Sequence, residues 1–307
     1  MAQPAEATDR APREASPERG APVLVRARHA VLFAARSLGD ALDAYGRARP
    51  GERFALAILV LRMRAKQFLM KLFPGRRFVK EKVFGFAVEG LDYNSLAFFV
   101  EEIFVRRDYE FSCQTKNPLI FDCGSNIGVA LLFFKRLYPA GRVVAFEPSK
   151  QTFDMLSHNV EANQLTGVEL HDAALAAAEG PAEFYESSSQ PGSGWNSLRP
   201  TRLAGKPRHV NGILLSKFIR EPVDFLKMDI EGAEAEVLEE LAQSGRLRQI
   251  REMVVEYHHH IDPREDTLSR MLRVLEDNGF GYQIRSMPWQ ASARESFQDL
   301  LIRAYQK

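Results

Sequence analysis

The sequence is poor in cysteine, in long apolar runs and in charge of one sign. Two cysteines, Cys113 and Cys123, are too few for a disulfide framework or a thiolate zinc site, which favours a cytoplasmic location. The longest apolar run, Phe54 to Leu61, is far shorter than the ~20 residues that a membrane-spanning helix needs. The 41 basic residues are balanced by 40 acidic ones, so we expect no nucleic-acid partner.

The N-terminal third has its own composition. Residues 1–22, with four prolines and six alanines, predict a disordered tail, and helical spacing over Val23 to Tyr45 and Glu52 to Phe73 predicts two helices. Between Arg62 and Lys82, eight basic residues face one acidic residue. This segment either docks an apolar face on the following domain, which we favour, or contacts an anionic membrane surface. We assign residues 23–110 to this helical cap region and 111–307 to the main domain.

Short apolar strands alternate with helical segments from residue 119 onward, which is typical of a parallel α/β sheet. The last two strands have no helix between them, which predicts an antiparallel hairpin. The seven predicted strands are Leu119–Cys123, Arg142–Glu147, Gly167–His171, Val223–Met228, Glu252–Tyr257, Gly281–Ile284 and Leu300–Tyr305. The four predicted helices are Ile127–Tyr138, Gln151–Asn163, Ala233–Gln243 and Glu265–Asn278.

A glycine-containing turn joins the first of these strands to its helix. Glycine lets a backbone approach a ligand closely, and a helix start presents free N–H groups, so we expect a cofactor over this turn. The Gly-x-x-x-Gly spacing differs from the dinucleotide fingerprint and disfavours a nicotinamide cofactor, and with it a dehydrogenase. The candidate cofactor-binding residues here are Asp122, Gly124, Ser125, Asn126 and Gly128.

The second and third strands also end in polar residues. Glu147 follows the second strand, where a carboxylate can accept hydrogen bonds from both hydroxyls of a ribose. Asp172 and Ala173 follow the third strand, where we expect the adenine. A cofactor containing a nucleoside therefore fits the carboxyl edge of this sheet.

Two later strand ends carry candidate catalytic residues. Asp229 ends a buried strand and is followed by Glu231 and Glu234, which have an alternative role in favouring the helix N-terminus. On the next strand, alternation places Glu256 and His258 on one face, and His258 is a candidate general base because imidazole titrates near neutral pH. Consecutive loop histidines usually bond to solvent and backbone, so we predict no metal.

Four segments together resemble the FkbM family of S-adenosylmethionine-dependent methyltransferases, over roughly residues 119 to 284. The resemblance implies a Rossmann-like α/β fold of the class I methyltransferases: a mostly parallel seven-stranded sheet with a C-terminal antiparallel hairpin, preceded here by N-terminal helices. It also implies S-adenosylmethionine as cofactor and O-methylation of a sugar or other small-molecule hydroxyl. The segments are Phe121–Gly128, Ala145–Pro148, Leu226–Glu234 and Val255–His258.

The same resemblance implies roles for individual residues. The turn at Asp122 to Gly128 would surround the methionine part of the cofactor, Glu147 would bind the ribose, and Asp229 would lie between donor and acceptor. A polar loop from Ser187 to Ser197 either folds over the acceptor, with Trp195 stacked on a sugar, or is a simple connection. The competing hypothesis from another class is an inactive scaffold recruited through its basic N-terminal helix.

Overall fold

The computed structural model describes residues 23–72, 79–185, 207–261, 267–286 and 298–307. The chain divides into two compact units, Met1–Gly75 and Arg76–Lys307. The predicted tail over 1–22 and the loop containing Trp195 lie outside the described residues.

The first unit contains two helices, α1 (Val23–Arg47) and α2 (Arg53–Leu72), close to the predicted ranges. The rings of Phe33 and Phe68 lie 5.2 Å apart and join the two helices. Among the described residues, neither helix is long and apolar enough to cross a bilayer.

One apolar face of α2 is open to solvent: the side chains of Phe54, Ile58 and Leu61 are all exposed. The buried face of this helix is instead the one with Leu56, Leu59 and Met63. Helical spacing shows which face is apolar, but α2 is apolar on two faces and only one of them is covered.

The second unit begins with a small hairpin and helix and continues as an α/β sheet. A single π-helical turn, Glu101–Val105, directly follows the first helix of this unit. Its strands and helices, in chain order, are β1 (Val79–Val83), β2 (Phe86–Gly90), α3 (Tyr93–Val100), β3 (Leu119–Cys123), α4 (Val129–Leu137), β4 (Arg142–Phe146), α5 (Lys150–Ala162), β5 (Val168–His171), β6 (Ala174–Leu175), β7 (Gly180–Tyr185), β8 (Pro207–Ile213), β9 (Val223–Met228), α6 (Glu234–Gln243), β10 (Ile250–His259), α7 (Leu268–Asp277), β11 (Phe280–Ser286) and β12 (Gln298–Gln306).

The central sheet has seven strands in the order β11-β12-β10-β9-β3-β4-β5. The five strands from β10 to β5 run parallel, and β12 is antiparallel to both of its neighbours. The predicted Rossmann-like sheet with a C-terminal hairpin is therefore confirmed. Every residue of β3 is buried, as expected for a central strand covered on both faces, which explains its continuous apolar run.

A second, three-stranded sheet is an element that the sequence did not predict. It joins β6 to β8 in parallel and β7 to β8 in antiparallel pairing. Two-residue β6 is too short to leave a period-two pattern, and β7 and β8 are separated by the Ser/Gly/Pro-rich stretch. This sheet follows β5 and contributes apolar side chains to the cavity described below.

Candidate functional site

The turn after β3 is built on glycine. Gly124 has a φ of 82°, and a Cβ there would lie 1.7 Å from the carbonyl oxygen of Asp229. Gly128 has a φ of 88°, and its Cβ would lie 2.7 Å from Leu156 Cδ1 on α5. Both positions therefore exclude a side chain by conformation and by space. The close approach of backbone at Gly124 brings the end of β3 against the end of β9.

Glu147 connects this turn to the end of β4. Its Oε2 accepts a hydrogen bond from the backbone N–H of Asn126 at 2.8 Å. Its Oε1 accepts from the backbone N–H of Ser149 at 2.9 Å and from Thr152 Oγ1 at 2.7 Å. Burial raises the pKa of Glu147, and these donors oppose the shift because they stabilise the carboxylate. A carboxylate offers about four acceptor positions, so Oε2 keeps the capacity to accept from a ligand hydroxyl.

Lys227, the next-to-last residue of β9, is a buried cation among carboxylates. Its Nζ donates to the carbonyl oxygen of Gly124 and lies 3.4 Å from Asp229 Oδ2 and 3.7 Å from Asp122 Oδ1. Burial lowers its pKa, but the charges of Asp229 and Asp122 outweigh that effect and raise the pKa of Lys227 above its usual value. Burial also raises the pKa of Asp122, against the opposing attraction of Lys227. The lysine thus links the glycine turn to the Asp229 strand end.

A second polar group lies at the end of β10. The hydroxyl of Tyr109 donates to Glu256 Oε2 at 2.8 Å. Burial, and next the charge of Asp229, raise the pKa of Glu256 to about 7. His258 Nδ1 lies 2.8 Å from Glu234 Oε1, and its Nε2 lies 3.7 Å from Asp229 Oδ1. The raised pKa of Glu256 thus results mainly from its burial, and the nearby carboxylate charge adds to the effect.

Several of these residues line one cavity, whose empty volume of about 830 Å³ includes space open to solvent: Tyr109, Gly124, Glu147, Lys227 and Asp229. Glu102, from the π-helical turn, also faces this cavity. Burial, followed by the charge of Glu256, raises the pKa of Glu102 well above its usual value. Aromatic side chains from three elements complete the apolar part of the wall: Phe99, Phe146 and Phe184.

The structure brings many of the predicted residues together. The predicted residues that line the cavity are Gly124, Ser125, Asn126, Glu147, Ala173 and Asp229. The predicted residues outside the described lining are Asp122, Gly128, Asp172, Glu256 and His258. Asp122 and Gly128 instead lie beneath the glycine turn, while Asp172 is exposed after β5.

Three residues at this site had no role in the sequence-based prediction. Lys227 lies in the segment Leu226–Glu234, which the sequence analysis discussed for its carboxylates. A lysine near the end of a buried strand could have been recognised there as a candidate site residue. Glu102 and Tyr109 come from the segment before β3, where no repeating pattern relates them to the sheet. Their participation follows only from the fold.

Two overlapping groups have ligand atoms close enough to hold a cation: Asp229, Glu231 and His258, and Glu256, His258 and Asp299. Carboxylate oxygens suit magnesium or calcium, and the imidazole suits zinc. Both histidine nitrogens already face carboxylates at 2.8 and 3.1 Å. The absence of a metal stays a prediction.

Comparisons with known proteins agree on the class of enzyme. Residues 122–282, just over half of the chain, match the family model of the methyltransferase FkbM domain. The methyltransferase sdnD of Sordaria araneosa is 31% identical over 219 residues, which cover 60% of this chain and 81% of that protein. The hexuronic acid methyltransferase AglP of Haloferax volcanii is 28% identical over 152 residues, covering 50% and 61%.

Among solved structures, the methyltransferase FkbM of Methylobacillus flagellatus is similar to this chain at 14% identity. It aligns over 88% of this chain and 59% of its own, with a TM-score of 0.45.

Proposed function

The chain belongs to the FkbM family of methyltransferases, and from this we propose that it transfers a methyl group from S-adenosylmethionine to a hydroxyl oxygen of a sugar or another small molecule. The observation that carries the proposal is the convergence of Gly124, Glu147 and Asp229 on one cavity. The similarity to a hexuronic acid methyltransferase supports an acceptor with sugar hydroxyls.

The residues around the cavity fit this donor. The cavity is lined by four carboxyl groups and one ammonium group, and this excess of acidic groups favours a cationic ligand. The carboxyl groups are those of Glu102, Glu147, Asp229 and Glu231, and the ammonium group is that of Lys227. Glu147 Oε2 binds a ribose hydroxyl with the acceptor capacity that Asn126 leaves. When bound, S-adenosylmethionine supplies a methyl group that its positive sulfur has already activated.

Asp229 is the group that acts on the acceptor. It lines the cavity, and it is the predicted catalytic residue that does so. In the proposed reaction the acceptor hydroxyl donates a hydrogen bond to the Asp229 carboxylate, which takes its proton as the oxygen–methyl bond forms and the methyl–sulfur bond of the donor breaks, its electron pair remaining on the sulfur. Alignment of the acceptor oxygen is the larger part of the catalysis, because proximity and orientation alone lower such barriers by several kcal/mol, roughly 7–11 in favourable cases.

His258 and Glu256 act through neighbouring residues. Lys227 Nζ lies 3.4 Å from Asp229 Oδ2, and His258 Nε2, which is 3.1 Å from Glu231 Oε2, lies 3.7 Å from Asp229 Oδ1, so both cations are close enough to orient the Asp229 carboxylate by their charge. Glu256 holds Tyr109, whose side chain reaches the cavity. We assign these residues the positioning of the carboxylate and of the acceptor.

Calorimetric titration of the full chain with S-adenosylmethionine and with NAD tests the donor. We expect selective binding of S-adenosylmethionine, about 10-fold or more weaker in Glu147→Ala because a charge-assisted hydrogen bond is lost. Glu161→Ala, an exposed position on α5, is the matched control and keeps the affinity of the unmodified protein. Binding of NAD, or of neither ligand, contradicts the proposal.

Transfer of a labelled methyl group to hexoses, uronic acids and amines tests the acceptor class. We expect the label in an ether that NMR assigns to a sugar oxygen. Label found solely on amine nitrogen would overturn the hydroxyl assignment while leaving the donor assignment intact.

A further inference from the structure

Both helices of the first unit present an apolar stripe to solvent. The exposed fractions are high for large apolar residues: Val31 68%, Leu38 54%, Leu42 63%, Phe54 72%, Ile58 59%, Leu61 40% and Leu69 51%. Isolated exposed apolar side chains are common, but a contiguous set marks an interaction site.

The spacing shows that each set is contiguous. On α1 the exposed residues Val31, Ala35, Leu38 and Leu42 follow the spacing i, i+4, i+7, i+11. On α2 the same spacing joins Phe54, Ile58, Leu61 and Ala65, and Leu69 extends the stripe by one turn. Residues at these intervals share one face of a helix, so each helix carries a single apolar stripe at least three turns long.

The charge of these helices indicates what covers the stripes. Residues 23–72 contain ten Lys and Arg and three Asp and Glu, a net charge of +7, whereas the whole chain carries +1. Arg62 lies one turn from both Ile58 and Lys66 and borders the α2 stripe, and Arg28 lies one turn before Val31 on α1. An apolar stripe bordered by cations is the arrangement of helices that lie in the plane of an anionic membrane surface.

We propose that α1 and α2 bind the surface of a membrane that contains anionic lipid. The stripes enter the boundary between headgroups and acyl chains, and the arginine and lysine side chains contact lipid phosphates. A second copy of this chain is a poor occupant, because it would bring a charge of +7 against +7. No described residue of α1 or α2 lines the proposed methyl-transfer cavity, so membrane binding is a property separate from the proposed function.

Sedimentation with vesicles tests the proposal on the full chain. The probes are vesicles of phosphatidylcholine alone and of phosphatidylcholine with phosphatidylglycerol. We expect at least about 10-fold tighter binding to the anionic vesicles, since each basic residue near such a surface contributes ~1 kcal/mol, and high salt should remove most of the difference.

Variants separate the apolar and the electrostatic contributions. Ile58→Ser with Leu69→Ser should weaken binding to anionic vesicles about 10-fold, because two apolar side chains no longer enter the interface. Arg62→Gln with Lys66→Gln should weaken it by a similar factor, on anionic vesicles alone. Ile284→Ser is the matched control: Ile284 is 45% exposed on β11 of the second unit, and its loss should leave vesicle binding unchanged.

The proposal is overturned if the unmodified chain does not sediment with anionic vesicles, or if Ile284→Ser weakens sedimentation as much as the double serine variant does. It is also overturned if size-exclusion chromatography shows a dimer that the double serine variant dissociates and that binds no vesicles, since the stripes then face a second copy. An unchanged helical signal in circular dichroism shows that α1 and α2 remain folded in each variant.

Discussion

The two sides of the cavity hold their carboxylates in different ways. On the side that we propose binds the cofactor, which comprises Gly124, Asn126 and Glu147, the Glu147 carboxylate accepts three hydrogen bonds from the protein. On the side that we propose binds the acceptor, which comprises Asp229, Glu256 and His258 with Glu102 and Tyr109, Glu256 accepts one from Tyr109, and burial raises its pKa to about 7. Under the proposed function, the first side is pre-organised to bind, whereas the second holds and moves a proton.

The largest difference between the sides should appear in turnover. Asp229→Asn removes the proton acceptor but keeps the shape of the side chain, so kcat should fall by about 10²–10⁴-fold. Affinity for S-adenosylmethionine, measured by calorimetry, should fall far less, by about 10-fold at most, because the variant loses one of the negative charges around the cavity but keeps the contacts of Glu147. Loss of cofactor binding in this variant, with little effect on kcat, would show that the division into two sides is wrong.

Lys227 contacts both sides, because its Nζ donates to the carbonyl oxygen of Gly124 and pairs with Asp229. Among these variants, we expect its replacement to lower the free energy of unfolding most. Lys227→Met leaves Asp122 and Asp229 without their shared cation, and breaking a buried pair in this way costs ~3–5 kcal/mol of unfolding free energy. Urea denaturation at neutral pH measures it.

Lys135 is the matched control for that experiment. It is equally buried, but its Nζ donates to the carbonyl oxygens of Gly141 and Thr166. Lys135→Met leaves neutral groups unsatisfied, so its cost should be smaller, ~1–3 kcal/mol. Equal losses in the two variants would mean that burial of the lysine, and not its carboxylate partners, determines the stability.

The comparison also explains what the sequence could predict. The proposed cofactor side lies at the ends of β3 and β4. Strands that are buried on both faces are mostly apolar along their length, which makes them easy to recognise in a sequence. The bounds of β3 and β9 were therefore predicted as they are observed. Gly124 and Glu147 are then placed at the cavity by strand geometry alone.

The acceptor side depends on contacts that no local pattern encodes. Glu102 lies on a π-helical turn, which helical spacing over residues 94 to 106 does not distinguish from a continuing α-helix, and Tyr109 bonds a residue 147 positions away. The exposed stripe on α2 illustrates the same limit. A pattern identifies an apolar face, but tertiary contacts decide whether anything covers it.

The raised pKa of Glu256 makes the stability of the protein depend on pH. Because its pKa is about 7 in the folded protein, above its usual value of 4.5, the folded state binds the proton more tightly than the unfolded state does. The associated stability is fully present below pH 4.5 and is lost as the pH rises through 7. The groups responsible are Asp229 and Asp299, which raise the pKa together with burial, against His258 and Tyr109.

Glu256→Gln should therefore be more stable than the unmodified protein at pH 8, by about 3 kcal/mol, and equally stable at pH 4. The glutamine oxygen still accepts the hydrogen bond from Tyr109, so packing is conserved. Unfolding free energies from urea titrations between pH 4 and 8 measure the difference. A difference that does not change with pH would show that the pKa of Glu256 is the same in the folded and unfolded states, so that Glu256 holds no proton at neutral pH.

The smallest expected effect lies within the Glu147 carboxylate. Glu147→Gln keeps an oxygen for Ser149 and Thr152 but turns its NH₂ group toward the N–H of Asn126, so two donors face each other at the glycine turn. The affinity for S-adenosylmethionine should fall about 10-fold, the difference between a charged and a neutral hydrogen bond. Thr152→Val removes one donor from Oε1 and leaves Oε2 paired with Asn126, so calorimetry should show a decrease of roughly 3-fold at most. If Thr152→Val had the larger effect, the oxygen that binds the cofactor would be Oε1, and Asn126 would position the turn without taking part in binding.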